Sequence, residues 1–131
     1  MGVFSDYWEN MILNHIFGKS SYTPPTIYVG LSTADPTDDG SGLAEPSGNG
    51  YTRVQTSASD WNTASNGLVD NVGNITFAQA SGNWGMITHF ALFDAATTGN
   101  MLAHGALSQS KSITESDTAR FETGDLAISL D

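Results

Sequence analysis

The chain has no cysteine, which excludes disulfides and thiolate zinc sites and leaves the redox compartment open. Fixed positive charge is almost as scarce. Lys19, Arg53, Lys111 and Arg120 stand against fourteen Asp and Glu, for a net charge of −10. A nucleic-acid partner is not expected, because no cationic stripe exists to displace counterions. An anionic membrane surface is disfavoured for the same reason. No apolar run approaches the roughly 20 residues of a membrane-spanning helix, so no membrane partner is expected. A basic segment followed by an apolar one does not follow Met1, so no signal peptide is expected. The acceptor-like tripeptide Asn74-Ile75-Thr76 is therefore discounted as a glycosylation site.

Catalytic signatures are missing too. There is no Gly-x-Ser-x-Gly elbow and no glycine-rich phosphate loop opening a helix. Paired carboxylates for glycoside hydrolysis cannot be picked from fourteen acids without geometry. The reading is non-enzymatic, with no catalytic residues and no metal ligands assigned. A carbohydrate-active enzyme is the remote alternative.

What is present suits strands joined by turns. Gly, Ser, Thr, Asn and Asp are plentiful, and Val, Ile, Phe, Tyr and Trp carry much of the apolar content. At 131 residues the expectation is one domain, 1–131. A chain of this size buries roughly two-thirds of its unfolded surface. One helix is expected, at about residues 5–17. Ser5 or Asp6 can cap it, and Glu9 completes a capping box if Asp6 does. Trp8, Met11, Ile12, His15 and Ile16 fall at helical spacing, and Gly18 offers a stop.

Strands are expected at 26–32, 51–57, 75–77, 86–93, 101–107, 119–123 and 125–130. Residues 58–73 read as loop around Trp61, with an apolar island at Leu68-Val69. In the strongest strand, Met86, Thr88, Phe90 and Leu92 should face one way, and Ile87, His89, Ala91 and Phe93 the other. Both sides are largely apolar, which marks a central strand. Thr98-Gly99-Asn100 signals a hairpin turn. The fold class is mainly β, an antiparallel β-sandwich or jelly-roll-like domain with one N-terminal α-helix.

The segment from Ala34 to Gly50 is an acidic Gly/Pro loop with one large apolar side chain, Leu43, and no Lys or Arg. Such a loop must lie over a surface or reach a partner. Asp35, Thr37, Asp39 and Gly40 sit at the first EF-hand spacings, but Pro46 replaces the closing Glu. Asp35, Asp38, Asp39 and Glu45 could hold calcium irregularly; the plainer reading is solvated turn carboxylates. His89 and His104 lie on the two arms of the expected hairpin, and zinc would need a third ligand that the sequence does not identify. The tryptophans and tyrosines could line a sugar-binding face, although core or interface is their commoner role. The residues assigned to partner binding are Trp8, Met11 and Ile12 on the helix, with Asp35, Asp38, Asp39 and Glu45 in the loop.

Four stretches taken together carry a resemblance. They are SDYWENMILNHIFG (5–18), YVGLSTADPTDDGSGLAEPSGNGYTRV (28–54), WGMITHFALFDAATTGNMLAHGAL (84–107) and GDLAISLD (124–131). In this order they resemble a family of small tailed-bacteriophage virion structural proteins often labelled as tail fibre proteins. The resemblance implies a virion component, assembled in the host cytoplasm, and brings no catalytic or metal residues with it. A fibre is usually long, repetitive or coiled, and this chain has neither repeats nor heptads. The expectation is therefore a capsid decoration (cement) protein on the outside of the head, bound to the major capsid protein. Homo-oligomerisation is expected because sheet edges in a small domain need covering. The alternative is a tail fibre, tail-tip or baseplate module that serves host attachment or glycan binding.

Overall fold

Two glycines set how closely the chain's first strand meets its longest one. Gly2 and Gly105 face each other across an antiparallel pair, with the Phe90 ring directly beneath. A Cβ on Gly105 would lie 2.7 Å from both the Gly2 Cα and the Met1 carbonyl oxygen, and 2.8 Å from Phe90. Only a residue without a side chain fits there. The computed structural model describes residues 1–130.

Nine short to medium strands and one α-helix follow in the order β1 (Gly2–Phe4), α1 (Asp6–Ile16), β2 (Tyr28–Ser32), β3 (Val54–Gln55), β4 (Leu68–Val69), β5 (Ile75–Thr76), β6 (Gly85–Phe93), β7 (Met101–Ile113), β8 (Arg120–Phe121) and β9 (Ile128–Ser129). Seven of them form one curled sheet in the order β3-β2-β6-β7-β1-β9-β4, and β5 pairs with β8 in a separate ribbon. The architecture is mainly β with one helix, as the sequence led us to expect. It is not purely antiparallel, because β1 runs parallel to β9.

The ribbon and its flanks pack across the inner face of the sheet. Phe77 and Phe121 sit 6.2 Å apart between centroids, and Phe121 meets the edge of Phe90 at 6.0 Å. Val29, Leu31, Ile87, Phe90, Leu92, Leu102, Leu126 and Ile128 complete this core. A smaller cluster of Ala91, Phe93 and Met101 lies on the opposite face, with Tyr28 and Leu43 against it. The central position of β6 is thus confirmed: both faces of its last four residues are buried.

The expected alternation in β6 fails in its first half. Ile87 joins Phe90 and Leu92 in the main core, while Met86 is exposed. The cause is a register break: Ile87 pairs with Lys111, but His89 pairs with Ala106. Such an irregularity shifts which residues face inward.

Helix α1 is capped by Ser5, whose Oγ accepts from the Trp8 amide at 3.2 Å and donates to the Met101 carbonyl at 2.6 Å. Asp6 lies in the first turn, where its charge suits the helix dipole. Gly18, at φ +72°, follows the C-terminal end as anticipated. The β6–β7 hairpin turns through Thr98 and Gly99, both at positive φ, and Asp94 accepts from the Asn100 amide at 2.7 Å.

The region 58–73, read as loop, contains the short strand β4 and a polar anchor. Asn71 is fully buried. Its Nδ2 donates to the Gly73 and Glu122 carbonyls at 2.7 and 2.9 Å, and its Oδ1 accepts from the Leu126 amide at 2.9 Å. One side chain thereby ties the loop to the chain's C-terminal segment.

Candidate functional site

The acidic loop does lie over a surface, and the surface is the domain's own. Ser32, at the end of β2, is fully buried and pins both ends of the first turn. Its Oγ donates to the Ala34 carbonyl at 2.7 Å and accepts from the Ala44 amide at 3.1 Å. Pro36 is buried, and Leu43 packs on the smaller core cluster. The loop therefore needs no partner to cover it.

Its carboxylates divide by task. Glu45 turns inward. Arg53 holds it through two nitrogens, at 2.6 Å (Nη2 to Oε1) and 3.0 Å (Nε to Oε2), with side chains only 5% and 20% exposed for Arg53 and Glu45. The Tyr51 hydroxyl donates to the same carboxylate at 2.6 Å and accepts from the Leu31 amide at 2.9 Å. Burial, and then the hydrogen bond to Glu45, push the Tyr51 hydroxyl well above its ordinary range. The Arg53 guanidinium stacks 3.5 Å from the Phe93 ring centre and donates to the Ala95 and Thr98 carbonyls at 2.7 and 2.9 Å. Gly30 makes room for this network, since a Cβ there would lie 2.8–3.0 Å from Phe93, Tyr51 and Glu45. Glu45 thus joins the loop to the hairpin turn.

Asp39 is exposed and shapes a turn. It accepts from the Ser41 amide at 2.9 Å and from the Thr37 hydroxyl at 2.8 Å, which holds its carboxyl down to about 2. Asp35 accepts from the Thr37 amide at 3.0 Å. Asp38 reaches His104 Nε2 at 2.8 Å. Asp35 Oδ1 stands 4.0 Å from His89 Nε2 and 4.0 Å from His104 Nδ1. The hairpin does make the two histidines neighbours, as their sequence positions suggested. Among the described residues, no group of three or more His, Cys, Asp or Glu is placed to hold a metal ion. The irregular calcium site considered from sequence would need Glu45, which is committed to Arg53.

The helix residues also divide. Trp8 packs 4.5 Å from Phe4 and leans on the main core, with its indole N–H buried. Met11 and Ile12 are half-buried. The apolar side chains that point outward are Leu13, Ile16 and Phe17, at 53, 67 and 73% exposed. Trp8, Met11 and Ile12, assigned to contact from the sequence, are thus less exposed than this outer arc, because helical spacing reveals a stripe but not which stripe meets the sheet.

The aromatics do not form an exposed sugar platform. Trp84 is buried, its Nε1 donates to the Asn49 carbonyl at 2.8 Å, and its ring meets Tyr51 edge-on at 5.3 Å. A groove of about 1020 Å³ opens beside the outer half of β7, lined in part by Leu107, Lys111, Arg120, Phe121 and Asp125. It holds two of the chain's four fixed cations. Past Gly105, β7 has lost β1 as a neighbour, so its Ala106–Ser112 edge is open on that side. No helix among the described residues is long and apolar enough to cross a membrane.

Comparison with known proteins gives one family. Residues 3–129 match the model of the family described as Podophage GP4 fiber I protein gp80. No curated protein matches the chain. Because the match covers nearly the whole chain, this chain belongs to the podophage GP4 fiber I protein gp80 family and is a bacteriophage virion structural protein.

Proposed function

We propose that this protein is a non-enzymatic module of a phage fibre, working by contact with other virion proteins at the tail. The observation that carries the reading is the family match over residues 3–129, whose description names a fibre protein. It favours the tail over the capsid-decoration role expected from size and lack of repeats. A fibre is an assembly, and a small compact domain serves as its base or joint as readily as it decorates a lattice.

The outward arc of α1 is the contact surface in this reading. Leu13, Ile16 and Phe17 form an exposed apolar patch at the helix's C-terminal end, where solvent exposure serves no folding purpose. Met11 and Ile12 border it. The open edge of β7 is a second attachment line, kept from indiscriminate pairing by Ser108, Gln109, Ser110 and Lys111. Asp35, Asp38 and Asp39 contribute an acidic rim. Partners are other virion proteins or further copies of this chain.

The test is a phage carrying a deletion of the gene, complemented by plasmid variants. The fibre reading expects filled, heat-stable heads that fail to adsorb, restored by wild type and not by Ile16→Asp/Phe17→Asp. Fragile or leaking heads with normal adsorption would favour decoration instead.

A further inference from the structure

Past Gly105 the chain's longest strand loses both of its neighbours. Residues 103–105 pair with β1, and among the described residues nothing replaces β1 beyond them. On the other side His89 pairs with Ala106 and Ile87 with Lys111, so Thr88 alone stands opposite residues 107–110. Those four residues have no pairing partner in either strand, although β7 stays extended through them. Beyond the gap lies the separate ribbon, in which β8 pairs with β5 alone among the described residues. Two free strand edges thus border one groove. The groove runs down to the main core: Leu31, Ile87 and Phe90 line it together with the half-buried Leu107 and Phe121.

We propose that this groove takes one extended strand of a different virion protein. The strand pairs its main chain with residues 106–112 of β7 and lays alternate apolar side chains over Leu107 and Phe121. The proposal rests on the reading above, that the chain works by contact with other virion proteins, and states how one such contact is made. Three observations carry it. The first is the backbone: an unpaired extended run is a template for a further strand. Little ordering is needed, because β7 is already extended there.

The second is space. Strands lie about 4.8 Å apart in a sheet about 10 Å thick, so a strand about 20 Å long takes up roughly 1,000 Å³. The groove holds about 1020 Å³. Residues 106–112 supply the length, at roughly 3.3 Å per residue. The third is charge. On the β7 wall Lys111 has no carboxylate in ion-pair range among the described residues, whereas Arg120 on the facing wall is met by Glu122 at 3.1 Å. Asp125 also lines the groove, and its Oδ2 accepts from the Glu122 amide at 2.9 Å. The unanswered charge beside the open edge is therefore positive in a chain of net −10, and the incoming strand carries a carboxylate next to Lys111. A second copy is the poorer occupant. Its terminal strands among the described residues, β1 and β9, are already held inside the sheet, and it brings a like charge of −10.

The test follows backbone hydrogen exchange of the full chain, free and on purified virions. Amides 107–110 should exchange fast in the free protein and slow by about a hundredfold or more on the particle. The double variant Gln109→Pro/Ser110→Pro removes donors to both edges, because successive N–H groups point to opposite sides. It should keep the wild-type Tm, since neither residue pairs in the free protein, yet its copies per virion should drop by about tenfold or more. Gln109→Ala/Ser110→Ala keeps the donors and should be incorporated like wild type. A benzophenone side chain at Ser108, activated on virions, should crosslink to a segment of another virion protein with alternating apolar residues and an acid. The exchange and crosslinking readouts decide whether or not the proline variant folds. Equally fast exchange in both states overturns the proposal, as does full incorporation of the proline variant or a crosslink to a second copy. Fast exchange in a protein located at the tail would sink the groove contact and leave the fibre reading standing; protected amides in a protein spread over the head lattice would do the reverse.

Discussion

Substituting Glu45 with Ala should be among the most damaging changes available in the acidic segment, although the residue sits in a loop. Among the described residues its carboxylate is the only anion on the Arg53 guanidinium, and the Arg53 side chain is 5% exposed. Removing it strands a buried cation and takes the acceptor from the Tyr51 hydroxyl. Breaking a buried ion pair from one side typically costs about 3–5 kcal/mol. Two effects place this case at the low end. Glu45 is itself 20% exposed, and Arg53 keeps its bonds to Ala95 and Thr98. The expectation is about 3 kcal/mol, or a Tm lower by about 10 °C for a domain of this length. Urea and thermal unfolding followed by circular dichroism would measure it. The double variant Glu45→Ala/Arg53→Met should be more stable than Glu45→Ala alone, because the stranded charge is gone and an apolar chain covers Phe93. A cost below about 1 kcal/mol for Glu45→Ala, or a double variant that simply sums the two single costs, would refute the reasoning.

Other consequences are equally direct. Gly105→Ala should cost about 1–3 kcal/mol, because its Cβ meets backbone on one side and the Phe90 ring on the other; denaturant unfolding reads it. Asn71→Ala should cost about 2–4 kcal/mol by leaving two carbonyls and one amide of the buried anchor without their partner, and hydrogen exchange should show the Leu126 amide opening first. Alkaline conditions should destabilise the fold. The Tyr51 pKa is raised above its ordinary 10, so its contribution is whole below pH 10 and is lost as pH rises beyond it. Tyr22, raised chiefly by burial, acts in the same direction. Tm measured from pH 8 to 12 should fall only in the upper part of that range, and a flat profile would contradict this.

The features legible in sequence were those written in local pattern. The helix, its Gly18 stop, the Thr98-Gly99-Asn100 turn and the central strand β6 each follow from neighbours within a few residues. What was illegible depends on distant partners. Gly2-Val3-Phe4 is too short to announce a strand, and becomes one only because β7 and β9 flank it. Asn71 reads as a loop polar residue until Glu122 and Leu126 close over it. Glu45 looked like one more solvated acid, and only Arg53, eight residues on, turned it inward. The His89–Ala106 register break could not be foreseen from alternation, and it moved Ile87 to the other face. His89 and His104 were placed together correctly, but Asp35 came to face them only when the loop folded back over the hairpin.

The central claim is that this chain serves a fibre at the tail. Its most direct test is the number and position of copies on the purified particle. Quantitative mass spectrometry against the major capsid protein, with immunogold labelling of intact virions, would supply both. The account predicts a small number of copies, with gold confined to the tail end. Copies in simple proportion to the capsid lattice, with gold over the whole head, would contradict it and restore the decoration reading.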